Sequence, residues 1–164
     1  MMKVSFKGDF KDVLVFQGKV IAVTLKGTCE TPFWFNNVPK DIWEWAMWHP
    51  SVDVSETYSG QNLVLHITVT GKAKCHTGET PNPIIGERIA EARAKIRVYK
   101  FMHTLCKKLM YHYYGILYGV PEGTGELHTK VISDHQGGLQ EACNKYATLW
   151  LKESQHLGKL MKDL

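Results

Sequence analysis

This chain of 164 residues lacks the features that mark several large classes of protein. It has no apolar run long enough to span a membrane and no signal peptide at its N-terminus, and these absences predict a cytoplasmic protein that does not enter a membrane. Its four cysteines have no CxxC spacing, so we expect reduced thiols. No internal repeat is present, and the ordinary composition predicts a single domain over residues 1–164.

Catalytic and metal-binding motifs are also missing. The sequence contains no GxSxG, Walker or GxGxxG pattern. Cys75 and His76 precede a long helical pattern that carries His103 and Cys106 about 27 Å further along, so the two pairs cannot share a zinc ion within one chain. Only a zinc site built between two chains would remain. We therefore predict that the protein is not an enzyme and that it holds no metal and no cofactor.

The strongest signal that is present predicts one helix over residues 82–118. Asn82 can cap its first turn, Pro83 suits the first helical position, and apolar residues recur at steps of three or four from Ile85 to Ile116. A helix of about 37 residues is roughly 55 Å long, and a small sheet cannot cover all of it. We therefore predict a homo-oligomer that self-associates through the apolar stripe over residues 85–116.

The rest of the chain predicts an α+β fold. Residues 1–75 contain runs rich in β-branched and aromatic residues, separated by turns at Gln17–Lys19 and Ser59–Asn62, which predicts an N-terminal antiparallel β meander. The long amphipathic helix follows. Glycine and proline then predict a connector over 119–137, and apolar spacing predicts a second, C-terminal helix over 138–164. The β runs are Val4–Phe6, Val13–Phe16, Val20–Leu25, Val52–Thr57 and Leu63–Thr70.

An unusual aromatic segment over residues 33–48 contains most of the tryptophans. Within it, Asp41 can open a short helix that Pro50 would close. So many rings cannot all face one core, and we expect at least one tryptophan to stay exposed in a single subunit. An exposed ring would pack at a subunit interface or form the wall of a ligand site; the alternative is that the rings cap an open end of the sheet. The candidates are Trp34, Trp43, Trp45 and Trp48.

Basic residues form a row on the side of the long helix away from its apolar stripe. Arg93 and Arg97 lie four residues apart and can present two planar guanidinium groups to the oxygens of one ligand. We expect both to point into a cleft shared with another subunit, near residues 75–81. The alternative is a solvated helix face that Glu87 and Glu91 partly balance. The predicted ligand-binding residues are Arg88, Arg93, Arg97, Lys100, Trp34 and Trp45.

Residues 71–100 carry a strand, a short polar loop and the helix pattern G-x-x-I-A-x-x-R-A, in the segments Gly71–His76, Asn82–Pro83, Gly86–Ala90 and Ala92–Lys95. This arrangement resembles the Thoeris anti-defence sponge proteins of bacterial viruses, which have an N-terminal sheet and C-terminal helices. The resemblance implies a homo-oligomeric, non-enzymatic binding protein that sequesters a small phosphorylated nucleotide signal, such as a cyclic ADP-ribose isomer or a cyclic oligonucleotide. It further implies a phage protein that evades immunity in the host-cell cytoplasm, with Arg93 and Arg97 in the place of the family's helix arginines.

The same residues also resemble the β-β-β-α core of double-stranded-RNA-binding-like domains. That resemblance implies a nucleic-acid-binding module that holds the backbone by shape and charge. The net charge of +4 favours anionic partners of any kind and is modest for this one. A structural or assembly protein of a phage is the remaining alternative. A steep dependence of affinity on salt would separate binding of a polyphosphate backbone from binding of one small ligand.

Overall fold

The computed structural model describes residues 5–16, 19–31, 40–60, 62–74, 82–118 and 126–162, with only the backbone at 16, 31, 62, 113–118 and 126–136. The elements, in chain order, are β1 (Phe6–Phe16), β2 (Val20–Thr31), α1 (Lys40–Met47), β3 (Asp53–Ser59), β4 (Asn62–Lys74), α2 (Pro83–Tyr118) and α3 (Glu126–Lys162). This order confirms the predicted α+β fold, with an antiparallel sheet first and two long helices after it. None of the helices in the described part of the chain is both long and apolar enough to cross a membrane.

The four strands form one antiparallel sheet in the order β1-β2-β4-β3. The sheet is not a simple meander, because the segment that carries α1 takes the chain from β2 to the far edge, where β3 forms. The β3–β4 hairpin then returns β4 to the place beside β2. Its two-residue loop joins the paired residues Ser59 and Asn62, as predicted for this turn, and Gly60 adopts a φ of 61°, which suits glycine. Phe6, the last residue of the first predicted β run, and the whole second run, Val13–Phe16, belong to one strand, β1.

Helix α2 covers one face of the sheet. On β4, the odd-numbered residues from Leu63 to Ala73 are buried beneath the helix, and the even-numbered side chains lie on the other face. Gly71 lies directly under the helix, since a Cβ atom there would come within 3.0 Å of the Ala90 carbonyl oxygen and the Ala94 nitrogen. The missing side chain therefore allows the backbone of α2 to lie against β4.

The boundaries predicted for α2 are confirmed. The Asn82 side-chain oxygen accepts a hydrogen bond of 3.2 Å from the Ile85 N–H, as expected of a capping residue, and Pro83 is the first helical residue. The helix ends at Tyr118. These signals act within a few residues of the helix ends, so the sequence displays them directly.

Helix α3 is longer than predicted and packs along α2. It begins at Glu126, so the predicted connector over 119–137 is wrong for residues 126–137, which are helical. Gly137 and Gly138 disfavour a helix by about 1 kcal/mol each. Packing against α2 outweighs this cost, because most of the stability of a helix in a protein comes from the burial of one face, and Gly138 and Leu139 are buried here.

Most of the described part of the apolar stripe of α2 is buried within the chain. Ile89, Ala92, Met102, Cys106 and Leu109 are buried, whereas Ile85, Ile96 and Tyr99 are only partly buried. The sheet and α3 therefore cover more of this stripe than the prediction of a homo-oligomer assumed. Self-association through residues 85–116 stays a prediction, which light scattering at micromolar concentration tests. The buried residues of α3 that pack in the same two clusters are Leu139, Ala142, Cys143, Tyr146 and Leu160.

A cluster of ion pairs links β1 to α2. Lys11 Nζ lies 3.0 Å from Glu91 Oε2 and 3.3 Å from Glu87 Oε1, and Lys95 Nζ lies 3.7 Å from Glu91 Oε1. Burial by itself would raise the pKa of Glu91, but the hydrogen bond from Lys11 and the charge of Lys95 hold that pKa below its ordinary value of 4.5. The hydrogen bond with Glu91 raises the pKa of Lys11.

Replacing Glu91 by glutamine is expected to lower the free energy of unfolding by up to about 1 kcal/mol at neutral pH, because the pair is partly exposed and water screens it. The pKa of Glu91 is lower in the folded state than in the unfolded state. Its carboxylate therefore stabilises the fold above the unfolded pKa and loses this effect as the pH falls through the folded pKa. Urea denaturation should show that the difference in free energy of unfolding between the two proteins becomes smaller in acid. A difference that stays constant with pH would contradict a stabilising role of the Glu91 carboxylate.

Candidate ligand-binding site

A cleft of about 320 Å³ opens between the β1–β2 hairpin and the two long helices. This volume lies at the lower end of the range for small-molecule sites, about 300–1,000 Å³. Three lysines, four aromatic rings and several apolar residues line it. They are Lys26, Lys95 and Lys145; Phe6, Phe10, Tyr99 and Tyr146; and Gly8, Leu25, Val98 and Leu149.

A bulge in β1 shapes the strand side of the cleft. The pairing with β2 shifts between Gly8, which is opposite Gly27, and Phe10, which is opposite Lys26. An extra residue of this kind bends a strand and redirects its side chains. Gly27 leaves room for the Phe6 ring, because a Cβ atom there would come within 3.0 Å of that ring. The bulge and the paired glycines thus bring two phenylalanines to the cleft.

Two of the three lysines have no acidic partner in the described part of the chain. Lys26 Nζ lies 5.3 Å from the centre of the Phe10 ring. Lys145 Nζ lies 5.2 Å from the centre of the Tyr146 ring and 3.2 Å from Ser5 Oγ. Neither ammonium group is within 4.0 Å of a carboxylate oxygen of a described residue. The third lysine, Lys95, belongs to a balanced group of two lysines and two glutamates with Lys11, Glu87 and Glu91. The excess positive charge of the cleft therefore comes from Lys26 and Lys145.

The two tyrosines of the cleft are uncharged at neutral pH. Burial raises the pKa of Tyr146, whose hydroxyl oxygen accepts a hydrogen bond of 2.6 Å from the Phe6 N–H. Burial and the nearby Glu153 carboxylate raise the pKa of Tyr99. The centres of the two rings are 6.2 Å apart and their planes are tilted by 33°. The half-buried Tyr99 ring therefore offers an apolar wall and a neutral hydroxyl group.

The predicted ligand-binding arginines lie on the other side of α2. Arg93 donates a hydrogen bond of 2.6 Å to the Lys72 carbonyl oxygen, and Arg97 donates one to the Thr70 carbonyl oxygen. Residues two apart in an α-helix point about 200° apart around its axis. Arg93 therefore points away from Lys95, which lines the cleft, and the two basic groups serve different surfaces.

The other predicted site residues are dispersed. Lys100 Nζ lies 5.7 Å from the centre of the Trp150 ring of α3. Trp45 stacks on Phe101, with ring centres 5.3 Å apart and planes within 8° of parallel. Arg88 is exposed near the start of α2. The described members of the predicted set thus do not gather around one cavity.

The prediction of an exposed tryptophan is confirmed. Trp48, which follows α1, is 84% exposed. Helix α1 itself forms before Pro50, as predicted, and buries Ile42 and Ala46. Trp34 lies outside the described residues.

None of the cleft residues is among the predicted ligand-binding residues. The cleft joins the first strand to the last helix, and Phe6 and Tyr146 are 140 residues apart in the sequence. The only local signal is the break of alternation around Gly8 and Asp9 within a strand-like run, which is typical of a bulge. A bulge predicts an irregular site on an edge strand, but it does not predict which helix packs beside that site.

The three cysteines that the structure describes lie in the protein interior. Cys29, Cys106 and Cys143 are free thiols and are buried, and burial raises the pKa of Cys29 to about 12. His103 Nδ1 lies 3.4 Å from Cys143 Sγ. Within the described ranges, no three His, Cys, Asp or Glu side chains converge on a place that could hold a metal ion.

Comparisons of this chain with protein-family models, with curated proteins and with solved structures found no match. The function is therefore inferred from the cleft and its lining.

Proposed function

We propose that the protein is a non-enzymatic binding protein for a small phosphorylated nucleotide, which it holds in the cleft between the β1–β2 hairpin and helices α2 and α3. The observation that carries this proposal is the lining, in which three lysine ammonium groups and four aromatic rings surround about 320 Å³ without a carboxylate among the described lining residues. A ligand that has both an anionic group and a flat ring satisfies both parts of this lining.

The lysines favour a phosphate group. An ammonium group is a compact charge that binds phosphate oxygens from any direction. Lys26 comes from strand β2 and Lys145 from helix α3. A phosphate in the cleft therefore faces ammonium groups from two separate elements. A purely apolar ligand would instead cover charged groups without a counter-charge, which is costly.

The aromatic rings favour a base or another planar group. Stacking of a base on an aromatic side chain contributes about 1–3 kcal/mol, and the hydroxyl group of the half-buried Tyr99 can hydrogen-bond to the polar edge of a base. Free phosphate would make no use of the rings. The combination therefore supports a nucleotide over an inorganic anion.

The resemblance to the Thoeris sponge proteins narrows the proposed ligand to a signal nucleotide, such as a cyclic ADP-ribose isomer or a cyclic oligonucleotide. In that setting the protein is encoded by a phage and sequesters an immune signal in the host cell. The proposed site differs from the one predicted from the sequence. It uses the cleft lysines, because Arg93 and Arg97 already donate to carbonyl oxygens of β4.

Small molecules released by heating the purified protein can be identified by mass spectrometry, and calorimetric titration then measures their affinity. The probes are cyclic ADP-ribose isomers, cyclic di- and trinucleotides, and pyrophosphate. We expect a nucleotide to bind about ten-fold or more tightly than pyrophosphate, since pyrophosphate cannot stack on the rings. Failure of the native protein to bind any of these nucleotides would refute the proposal.

A further inference from the structure

We propose that the unpaired end of strand β4, residues 69–74, binds an extended acidic peptide of a protein partner by strand addition. This second site does not depend on the cleft, because it lies on the other side of α2. The last pair between β3 and β4 joins Asp53 to Thr68, and β4 continues to Lys74. Beyond Thr68, this edge of the sheet has no strand among the described residues.

The backbone groups of Thr70 and Lys72 point out of the sheet at this edge. A two-residue hairpin loop makes Ser59 and Asn62 a hydrogen-bonded pair. Hydrogen-bonded and non-bonded pairs alternate along an antiparallel ladder, so the even-numbered residues of β4 turn their N–H and C=O groups toward β3. Past the end of β3, these groups meet no strand of the described residues.

The two arginines occupy the outward carbonyl groups. Arg93 donates to the Lys72 oxygen and Arg97 to the Thr70 oxygen. Four residues of a helix span about 6 Å and two residues of a strand about 6.8 Å, so arginines spaced by four match carbonyl groups spaced by two. No described residue accepts a hydrogen bond from the Thr70 or Lys72 N–H at this edge. Among the described residues, the N–H groups of Thr70 and Lys72 are thus free to donate at this edge, whereas their carbonyl oxygens already accept hydrogen bonds from arginines.

The surface around this edge is basic. None of its four cationic side chains is within 4.0 Å of a carboxylate oxygen of a described residue. A partner that covers the edge therefore needs negative charge. The cations are Lys72, Lys74, Arg93 and Arg97.

An acidic peptide satisfies both the backbone and the charges. Its N–H groups replace the guanidinium groups at the Thr70 and Lys72 carbonyl oxygens, and its C=O groups accept from the two free N–H groups. The displaced arginines then turn to carboxylates of the peptide and exchange neutral acceptors for charged ones, which bind them more strongly. A nucleic-acid backbone lacks alternating N–H and C=O groups, so it would use the charges and leave the strand edge unpaired.

The test uses the native protein and three short blocked peptides: one that alternates Glu and Val, one that alternates Lys and Val, and the Glu–Val peptide with proline at its central valines. We expect the Glu–Val peptide to bind and to slow amide hydrogen exchange at Thr70 and Lys72. The Lys–Val peptide and the proline peptide should bind at least ten-fold more weakly, because the first has the wrong charge and the second lacks the N–H groups.

Variants separate strand addition from general attraction between charges. Replacing Arg93 and Arg97 by glutamine is expected to weaken binding of the Glu–Val peptide about 10- to 100-fold. The matched variant Lys152→Gln, Lys159→Gln, which removes two exposed cations of α3, should bind it as the native protein does. The proposal is overturned if saturating peptide leaves exchange at Thr70 and Lys72 unchanged. It is also overturned if oligothymidylate of equal charge binds more tightly than the peptide, which would assign the surface to nucleic acid.

Discussion

Replacing Lys26 and Lys145 together by alanine is expected to weaken nucleotide binding about 100-fold or more. A hydrogen bond from a charged group contributes about 1.5–3 kcal/mol, and the double variant removes two such donors from the cleft. Both lysines are exposed, so their loss should leave the free energy of unfolding within about 0.5 kcal/mol of the native value. Calorimetric titration with cyclic ADP-ribose isomers and cyclic dinucleotides measures the change in affinity.

A matched control distinguishes the cleft from the net charge of the protein. Replacing Lys159 and Lys162 by alanine removes the same charge from the exposed C-terminal end of α3, about 15 Å or more along the helix from the lining residue Leu149, and should not change the affinity. An equal loss in both variants would show that only long-range attraction is at work. If instead the Arg93→Ala, Arg97→Ala variant no longer binds the nucleotide while the Lys26→Ala, Lys145→Ala variant binds it with native affinity, the ligand site lies at the β4 edge.

Replacing Gly71 by alanine is expected to destabilise the protein by about 3 kcal/mol or more. The new methyl group would lie within 3.0 Å of two backbone atoms of α2, the Ala90 carbonyl oxygen and the Ala94 nitrogen. Backbone atoms of a helix cannot rotate away as the tip of a side chain can, so the whole helix must move off the sheet and loosen its buried contacts. The change in urea denaturation midpoint measures the cost.

Gly158 provides the matched substitution. It lies in helix α3, is exposed, and a Cβ atom added there has no neighbour within 4 Å. Gly158→Ala should therefore stabilise the protein by up to about 1 kcal/mol, because alanine favours a helix more than glycine does. A Gly71→Ala variant as stable as the Gly158→Ala variant would show that α2 does not lie so close to β4 in solution.

The position of α2 links the fold to both proposed sites. Because the helix lies against β4 at Gly71, side chains on its two sides extend to opposite parts of the sheet. Lys95 and Tyr99 reach the cleft beside the β1–β2 hairpin, and Arg93 and Arg97 reach the free edge of β4. A shift of the helix would move both sets of side chains, so we expect Gly71 variants that still fold to bind both probes more weakly.

Sequence patterns determined the parts of this protein that depend on neighbours in the chain. The Asn82 cap, the start at Pro83 and the end of α2 at Tyr118 are as predicted, as are the Ser59–Asn62 turn and the short helix before Pro50. Each rests on interactions that span four residues or fewer. The apolar and more polar residues that alternate along β4 likewise match the alternation of buried and less buried side chains.

Only the tertiary structure decided where these elements meet. The order β1-β2-β4-β3, the start of α3 at Glu126 and the cover that α3 provides for α2 depend on contacts between distant segments, and these contacts outweigh local glycine preferences. The same holds for the two arginines. Spacing placed Arg93 and Arg97 on one face of a helix, but that face meets the carbonyl groups of β4, while the lysines and rings of the cleft come from four elements that no local pattern connects.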